Sequence, residues 1–177
     1  MIHVMLDLET MGTSPTSAIV AIGAVQFNPD TGQELTSFHQ AVDLQDCIEQ
    51  GLTVNGDTIM WWLKRSSDAR DALSIQVSSL SMALRKFKAW IPTNALVWGN
   101  GAGFDNVILR NAYLACNIQC PWKYQNDRDY RTICMFGKRL GISKEKMPGN
   151  LAHNALEDAR AQKRYLVEVW NALHLPS

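Results

Sequence analysis

No stretch of about 18 or more apolar residues occurs in the sequence, which argues against a helical membrane span. An excess of one charge is also missing, since 17 basic residues balance 17 acidic ones. A protein that coats duplex nucleic acid by bulk attraction needs a strong positive surplus. The balance argues against that class, but not against a protein that grips a few nucleotides with help from bound cations. Cysteine is sparse: Cys47, Cys116, Cys120 and Cys134. The first residues, Met-Ile-His-Val-Met-Leu-Asp-Leu-Glu, lack the basic start and small-residue cleavage site of an export signal. Reduced thiols and a cytoplasmic location are therefore expected. Cys116 and Cys120 stand four apart, as on one helical face, yet no histidine lies near to complete a zinc set. Repeats and low-complexity tracts are absent. So are a dinucleotide fingerprint and a phosphate loop with its lysine, although Trp98 to Gly103 is rich in glycine.

What is present fits one domain spanning 1–177, long enough for a proper core. Three β-compatible runs open the chain: His3 to Leu8, Ala18 to Phe27 and Gln33 to Val42. The turn signal Asn28-Pro29-Asp30-Thr31-Gly32 separates the last two. They read as an antiparallel meander. Helical spacing follows over Thr58 to Lys64, with Ile59, Trp62 and Leu63 inward, and over Ser79 to Trp90, stopped by Pro92. Ala95 to Trp98 reads as a short buried strand. Helices are predicted over Asp105 to Ala115, Thr132 to Leu140 and Ala155 to Ala172, the last facing inward through Ala155, Ala159, Leu166, Val169, Trp170 and Leu173. Pro121 to Arg131 reads as a surface loop. The order predicts an α/β fold with a mixed sheet flanked by helices.

Asp7 and Glu9 interrupt the first apolar run. Residues two apart on a strand share a face, so the two carboxylates lie side by side. Two adjacent anions are costly unless a positive charge sits between them, and oxygen ligands select magnesium or manganese. The alternative is the solvent face of an edge strand. Near the C-terminus, His153-Asn154-Ala155-Leu156-Glu157-Asp158 combines a helix start with another carboxylate. Asn154 suits an N-cap and Glu157 a capping box, which leaves Asp158 for other work. Five helical residues would turn His153 and Asp158 about 140° apart. They address one site only if His153 sits on the preceding loop. There its near-neutral pKa suits a general base, or it is an ordinary surface histidine. Asp105 begins a helix, where the dipole alone is reason enough for an acid.

In sequence order, Asp-x-Glu-Thr (Asp7 to Thr10), Phe-Asp (Asp105) and His-x4-Asp (His153 to Asp158) resemble the three motifs of the DEDDh 3′-5′ exonucleases. That family has a ribonuclease H-like fold and includes polymerase proofreading subunits and RNase T. The match spans residues 5 to 165. Leu-Asp-Leu-Glu-Thr-Met-Gly and the pair Trp61-Trp62 are similar to a narrower branch, the small phage-type exonuclease A proteins. The middle motif departs from many relatives in its extra glycines. The resemblance implies that Asp7, Glu9, Asp105 and Asp158 bind two Mg2+ or Mn2+ ions, roughly 4 Å apart, at the scissile phosphate. One ion would activate water and the other stabilise the leaving oxygen, with His153 as general base. It also implies that Thr10 and Met11 meet the terminal nucleotide, through backbone and an apolar wedge. The expected substrate is single-stranded nucleic acid with a free 3′ end, DNA ahead of RNA, releasing nucleoside 5′-monophosphates.

Trp61 is a platform for a base if Trp62 packs inward; otherwise both are core. Arg128 and Arg131 are phosphate-contact candidates or solvated surface. Lys138, Arg139, Lys144 and Lys146 read as a solvated basic face rather than a nucleic-acid track. A homodimer is compatible with the chain, and no membrane partner is expected. Three other readings stand beside the first: an exoribonuclease of the same family, a catalytically silent binding module, and a hydrolase of free nucleotides. The acidic set argues against the silent module, because a pure binder gains nothing from negative charge beside phosphates.

Overall fold

The run of Ile, Val and Ala over Ile19–Phe27 is buried at every position, as expected of a strand covered on both faces. This is β2. It pairs antiparallel with β1 (His3–Thr10) on one side and β3 (Glu34–Ala41) on the other, which gives the meander. β4 (Leu96–Gly99) lies parallel to β1, and β5 (Asp127–Asp129) lies parallel to β4. The sheet order is β3-β2-β1-β4-β5. The computed structural model describes residues 1–144 and 153–173; Lys146 lies outside them.

Seven helices accompany the sheet among the described residues: α1 (Leu44–Glu49), α2 (Gly56–Leu63), α3 (Ser67–Asp71), α4 (Leu80–Trp90), α5 (Asp105–Ala115), α6 (Tyr130–Arg139) and α7 (Ala155–Leu173). The pleat of β1 sorts them. Val4, Leu6 and Leu8 point into a core shared with Leu84 and Phe87 of α4 and Ile108 and Leu109 of α5. Met5 points the other way, into a second core with Ile133 of α6 and Leu166 and Val169 of α7. Asp7 and Glu9 follow Met5 at period two, so they fall on the α7 side of the sheet. Among the described residues, no helix is long and apolar enough to cross a membrane.

Several expectations need correction. The stretch from Pro121 to Arg131 is not one loop, since it holds β5 and the start of α6. Its strand escaped notice because Asp-Arg-Asp has no apolar alternation. It is held by side chains, with Asp127 Oδ1 accepting from Asn106 Nδ2 (2.9 Å), Arg110 Nη2 (2.8 Å) and Trp122 Nε1 (2.7 Å). Ile59 and Leu63 do not face inward with Trp62; both are exposed, as is Leu173. α5 ends at Ala115, so Cys116 and Cys120 do not share a helical face. Lys144 is not simply solvated, because its ammonium lies over the rings of Tyr130 and Tyr165. The short helices α1 and α3 carry too few residues to show a period.

Candidate active site

β1 outruns its parallel partner. The β1–β4 ladder ends at Leu6 paired with Gly99, so Asp7 to Thr10 project past the carboxyl end of β4, where open α/β sheets bind ligands. The first residue of α5 fills the gap. Leu8, beyond the last pair, donates its backbone N–H to Asp105 Oδ1 at 3.2 Å. Gly99 permits this approach: a Cβ there would lie 3.1 Å from Asp105 Cβ and collide with Asn106 Oδ1.

The other acid arrives from above. Asp7 pairs with Gly23 of β2, and a Cβ on Gly23 would collide with the backbone of Ala155 and Leu156. The start of α7 therefore rests on bare sheet backbone. Asn154 caps it, its Oδ1 accepting from Leu156 (3.1 Å) and Glu157 (3.2 Å). Glu157 is engaged by Arg160 Nη1 at 2.8 Å, in place of the reciprocal half of a capping box. Asp158 then reaches the sheet. One oxygen from each of Asp7, Glu9 and Asp158 lies within 4.8 Å of the others.

These acids are poorly compensated. Burial, then the nearby charges of Asp105, Glu9 and Asp158, raises the Asp7 carboxyl well above its ordinary range. Burial followed by Asp158 and Asp105 brings Glu9 to about 8. Burial also raises Asp105 to about 7, against the backbone N–H groups that favour its charged form. The buried Asp105 Oδ2 has no hydrogen-bond partner. An all-oxygen donor set, mutually repelling and short of donors, fits a hard divalent cation.

His153 lies on the loop before α7 with φ +66°, and its backbone N–H donates to Asp158 Oδ2 at 3.1 Å. Its ring meets Trp61 edge-on at 4.8 Å between centroids. The two tryptophans diverge. Trp62 is buried and donates Nε1 to the Thr10 carbonyl at 3.0 Å; Trp61 is 38% exposed, with the Arg65 guanidinium stacked 4.2 Å from its ring centroid. Both line a recess of about 400 Å³ that also touches Glu9, Thr10, Gly12 and Phe104. Met11 is not in that lining. Its side chain packs on the core, and its backbone is engaged by Ala18 and Asn55. Arg131 stands beside Gly101, its Cζ 3.3 Å from where a Cβ would be, and its charge favours ionised Asp105. Arg128 is turned to local carbonyls, those of Gln125 and Asp127.

Sequence reasoning missed Gly23, Gly99 and Gln162, and gave Phe104 no role beyond its motif. An isolated glycine inside an apolar strand is a known sign of close backbone approach, which would have flagged Gly23. Gln162 stands four residues after Asp158, at the spacing that shares a helical face.

The model of the 3′-5′ exoribonuclease Rv2179c-like domain family matches residues 2–170. An exodeoxyribonuclease of Enterobacteria phage T4 is 23% identical, over 89% of this chain and 84% of the phage protein. Escherichia coli exonuclease I, in complex with a dT13 oligonucleotide, superposes with a TM-score of 0.62 at 14% identity, covering 97% of this chain and 40% of that one. The nuclease domain of 3′hExo, a DEDDh family member bound to rAMP, gives 0.60 at 14% identity, over 94% and 90%. The fold is thus ribonuclease H-like. The chain spans about 40% of the length of the exonuclease I that it matches.

Proposed function

This chain belongs to the Rv2179c-like family of 3′-5′ exoribonuclease domains and is a 3′-5′ exonuclease; from that premise we propose that it removes 5′-mononucleotides stepwise from single-stranded DNA. The observation that carries the reading is the meeting of Asp7, Glu9 and Asp158 within 4.8 Å, with Asp105 alongside and Glu9 also lining the recess. Asp7, Glu9, Asp105 and Asp158 would hold two Mg2+ or Mn2+ ions. When bound, such ions neutralise the scissile phosphate and acidify the attacking water.

The chain's own groups do the rest. His153, on its loop beside Asp158, takes the proton from the water and passes it to solvent. The carboxylates repel phosphate until cations are present, so productive binding is tied to loading of the site. Thr10 and the recess wall receive the terminal nucleotide, and Trp61 offers its exposed ring face to a base. Arg131, beside Gly101 and close enough for its charge to favour ionised Asp105, is assigned the contact to a phosphate oxygen.

DNA is preferred because the T4 relative, most of whose length is matched, is an exodeoxyribonuclease. The family description favours RNA as the second reading. Parallel digestion of matched DNA and RNA oligomers, single- and double-stranded and labelled at either end, with Mn2+, tests both. Mononucleotide release from the 3′ end of single-stranded DNA is expected. An uncut strand in the presence of folded protein would overturn the reading, and faster RNA cleavage would replace the substrate.

A further inference from the structure

The family resemblance ends its third motif at Asp158, but the helix that carries it continues to act on the site. Gln162 sits one turn further along α7, on the same face as Asp158. Its amide nitrogen donates to Asp7 Oδ1 at 2.7 Å, and the residue is 9% exposed. Its amide oxygen is buried without a partner. A glutamine placed for stability would have both ends satisfied, because an orphaned buried acceptor is costly. Here one end is spent on a carboxylate and the other is left unpaired. That pattern belongs to a group selected for what its donor does.

We infer that Gln162 is a positioning residue that fixes the Asp7 carboxylate for cation binding. The donated bond restrains rotation of the carboxylate and engages one oxygen, leaving the second for a cation. Partners of this kind orient metal-binding side chains and tune their affinity. Residue type matters. A lysine or arginine would add a positive charge in competition with the cation, and a glutamate would add another anion to a crowded set. A neutral amide donates without altering the charge of the site. It also links α7 to β1 at Asp7 itself, so the helix that brings Asp158 sets the pose of its partner acid.

The inference rests on Asp7 being a cation ligand, so the test begins with the unaltered protein and Mn2+ alone, titrated by calorimetry. Absence of binding there would sink the proposed function rather than this step. Gln162→Met and Gln162→Leu keep the packing and remove the donor. Each is expected to weaken Mn2+ binding about tenfold, with an equal shift in the Mn2+ midpoint of activity. At saturating Mn2+, kcat should return to within about threefold and KM for the oligomer should hold. The metal-free melting temperature should stay level or rise. Unchanged Mn2+ affinity in either folded variant overturns the inference. So does a lower metal-free melting temperature with a kcat loss that Mn2+ does not restore. Failure of both variants to fold would do the same, by assigning the amide to the fold.

Discussion

The acidic set should make the metal-free protein lose stability as pH rises, and the size of that loss follows from the site. In the folded state Glu9 titrates near 8 and Asp105 near 7, against 4.5 and 3.8 for the free groups, with Asp7 also held well up. Between these limits the folded chain keeps protons that the unfolded chain has released. A raised carboxyl pKa contributes stability that is complete below about 4 and lost as pH climbs through the folded value. His3 works in the opposite sense. Burial lowers it to about 4 from 6.5, so its contribution is lost as pH falls but is complete above about 6.5. The interval from pH 6.5 to 8 therefore isolates the acids. One proton held across that interval amounts to roughly 2 kcal/mol, or about 4–8 °C in Tm for a chain of this size. Mn2+ binds the ionised set, so it should reverse the trend, adding about 2.7 kcal/mol at a hundred times Kd. Thermal melts by circular dichroism at pH 6.5, 7.2 and 8.0, in chelator and in Mn2+, read both effects. A metal-free Tm that is flat or rising over this range would refute the reasoning. So would Mn2+ stabilisation that is no larger at pH 8 than at 6.5.

Three further outcomes follow from named contacts. Gly23→Ala forces a Cβ into the Ala155 backbone; roughly 1–3 kcal/mol of stability should go, and a shift of Asp158 near 1 Å should cost about 100-fold in kcat, readable in paired melts and steady-state assays. Asp7→Ala should abolish both Mn2+ binding and turnover, whereas His153→Ala should slow turnover severely while calorimetry finds Mn2+ affinity largely kept; equal loss of affinity in both would contradict their separate roles. Trp61→Ala should raise KM for single strands by about 5- to 150-fold, the range set by ~1–3 kcal/mol of base stacking, with kcat within a few-fold; a fall in kcat alone would mean that Trp61 serves His153, whose ring it touches.

Most elements were legible because their burial is periodic. α4 and α5 carry apolar residues at helical spacing, and β2 is a run of buried residues that is apolar but for Gly23 and Gln26. What stayed hidden lacks such a pattern. β5 is three charged and half-buried residues, recruited by the Asp127 carboxylate rather than by an apolar face. Ile59 and Leu63 look like core residues in sequence, but α2 buries only Trp62, which is fixed by its bond to Thr10. Hydrophobicity said which residues prefer burial; it did not say which face of a short helix the sheet would take.

The same contrast explains the site. Carboxylates and a histidine announce chemistry by their side chains, so Asp7, Glu9, Asp105, His153 and Asp158 could be picked out one by one. Their convergence depends on residues that have nothing to announce. Gly23, the cross-strand partner of Asp7, admits the start of α7, and Gly99 admits the start of α5 beside Leu8. Each helix brings its acid within its first turn, as its first or fourth residue, close to the point where the helix start rests on the sheet. The acids are thus crowded because two helix starts are docked on two gaps in the sheet, and the repulsion that raises their pKa values is a consequence of that docking. A side chain at either gap would relieve the repulsion and disperse the ligands together. Stability without metal and affinity for metal should therefore trade against each other across variants at positions 23 and 99, a coupling that motif matching alone does not predict.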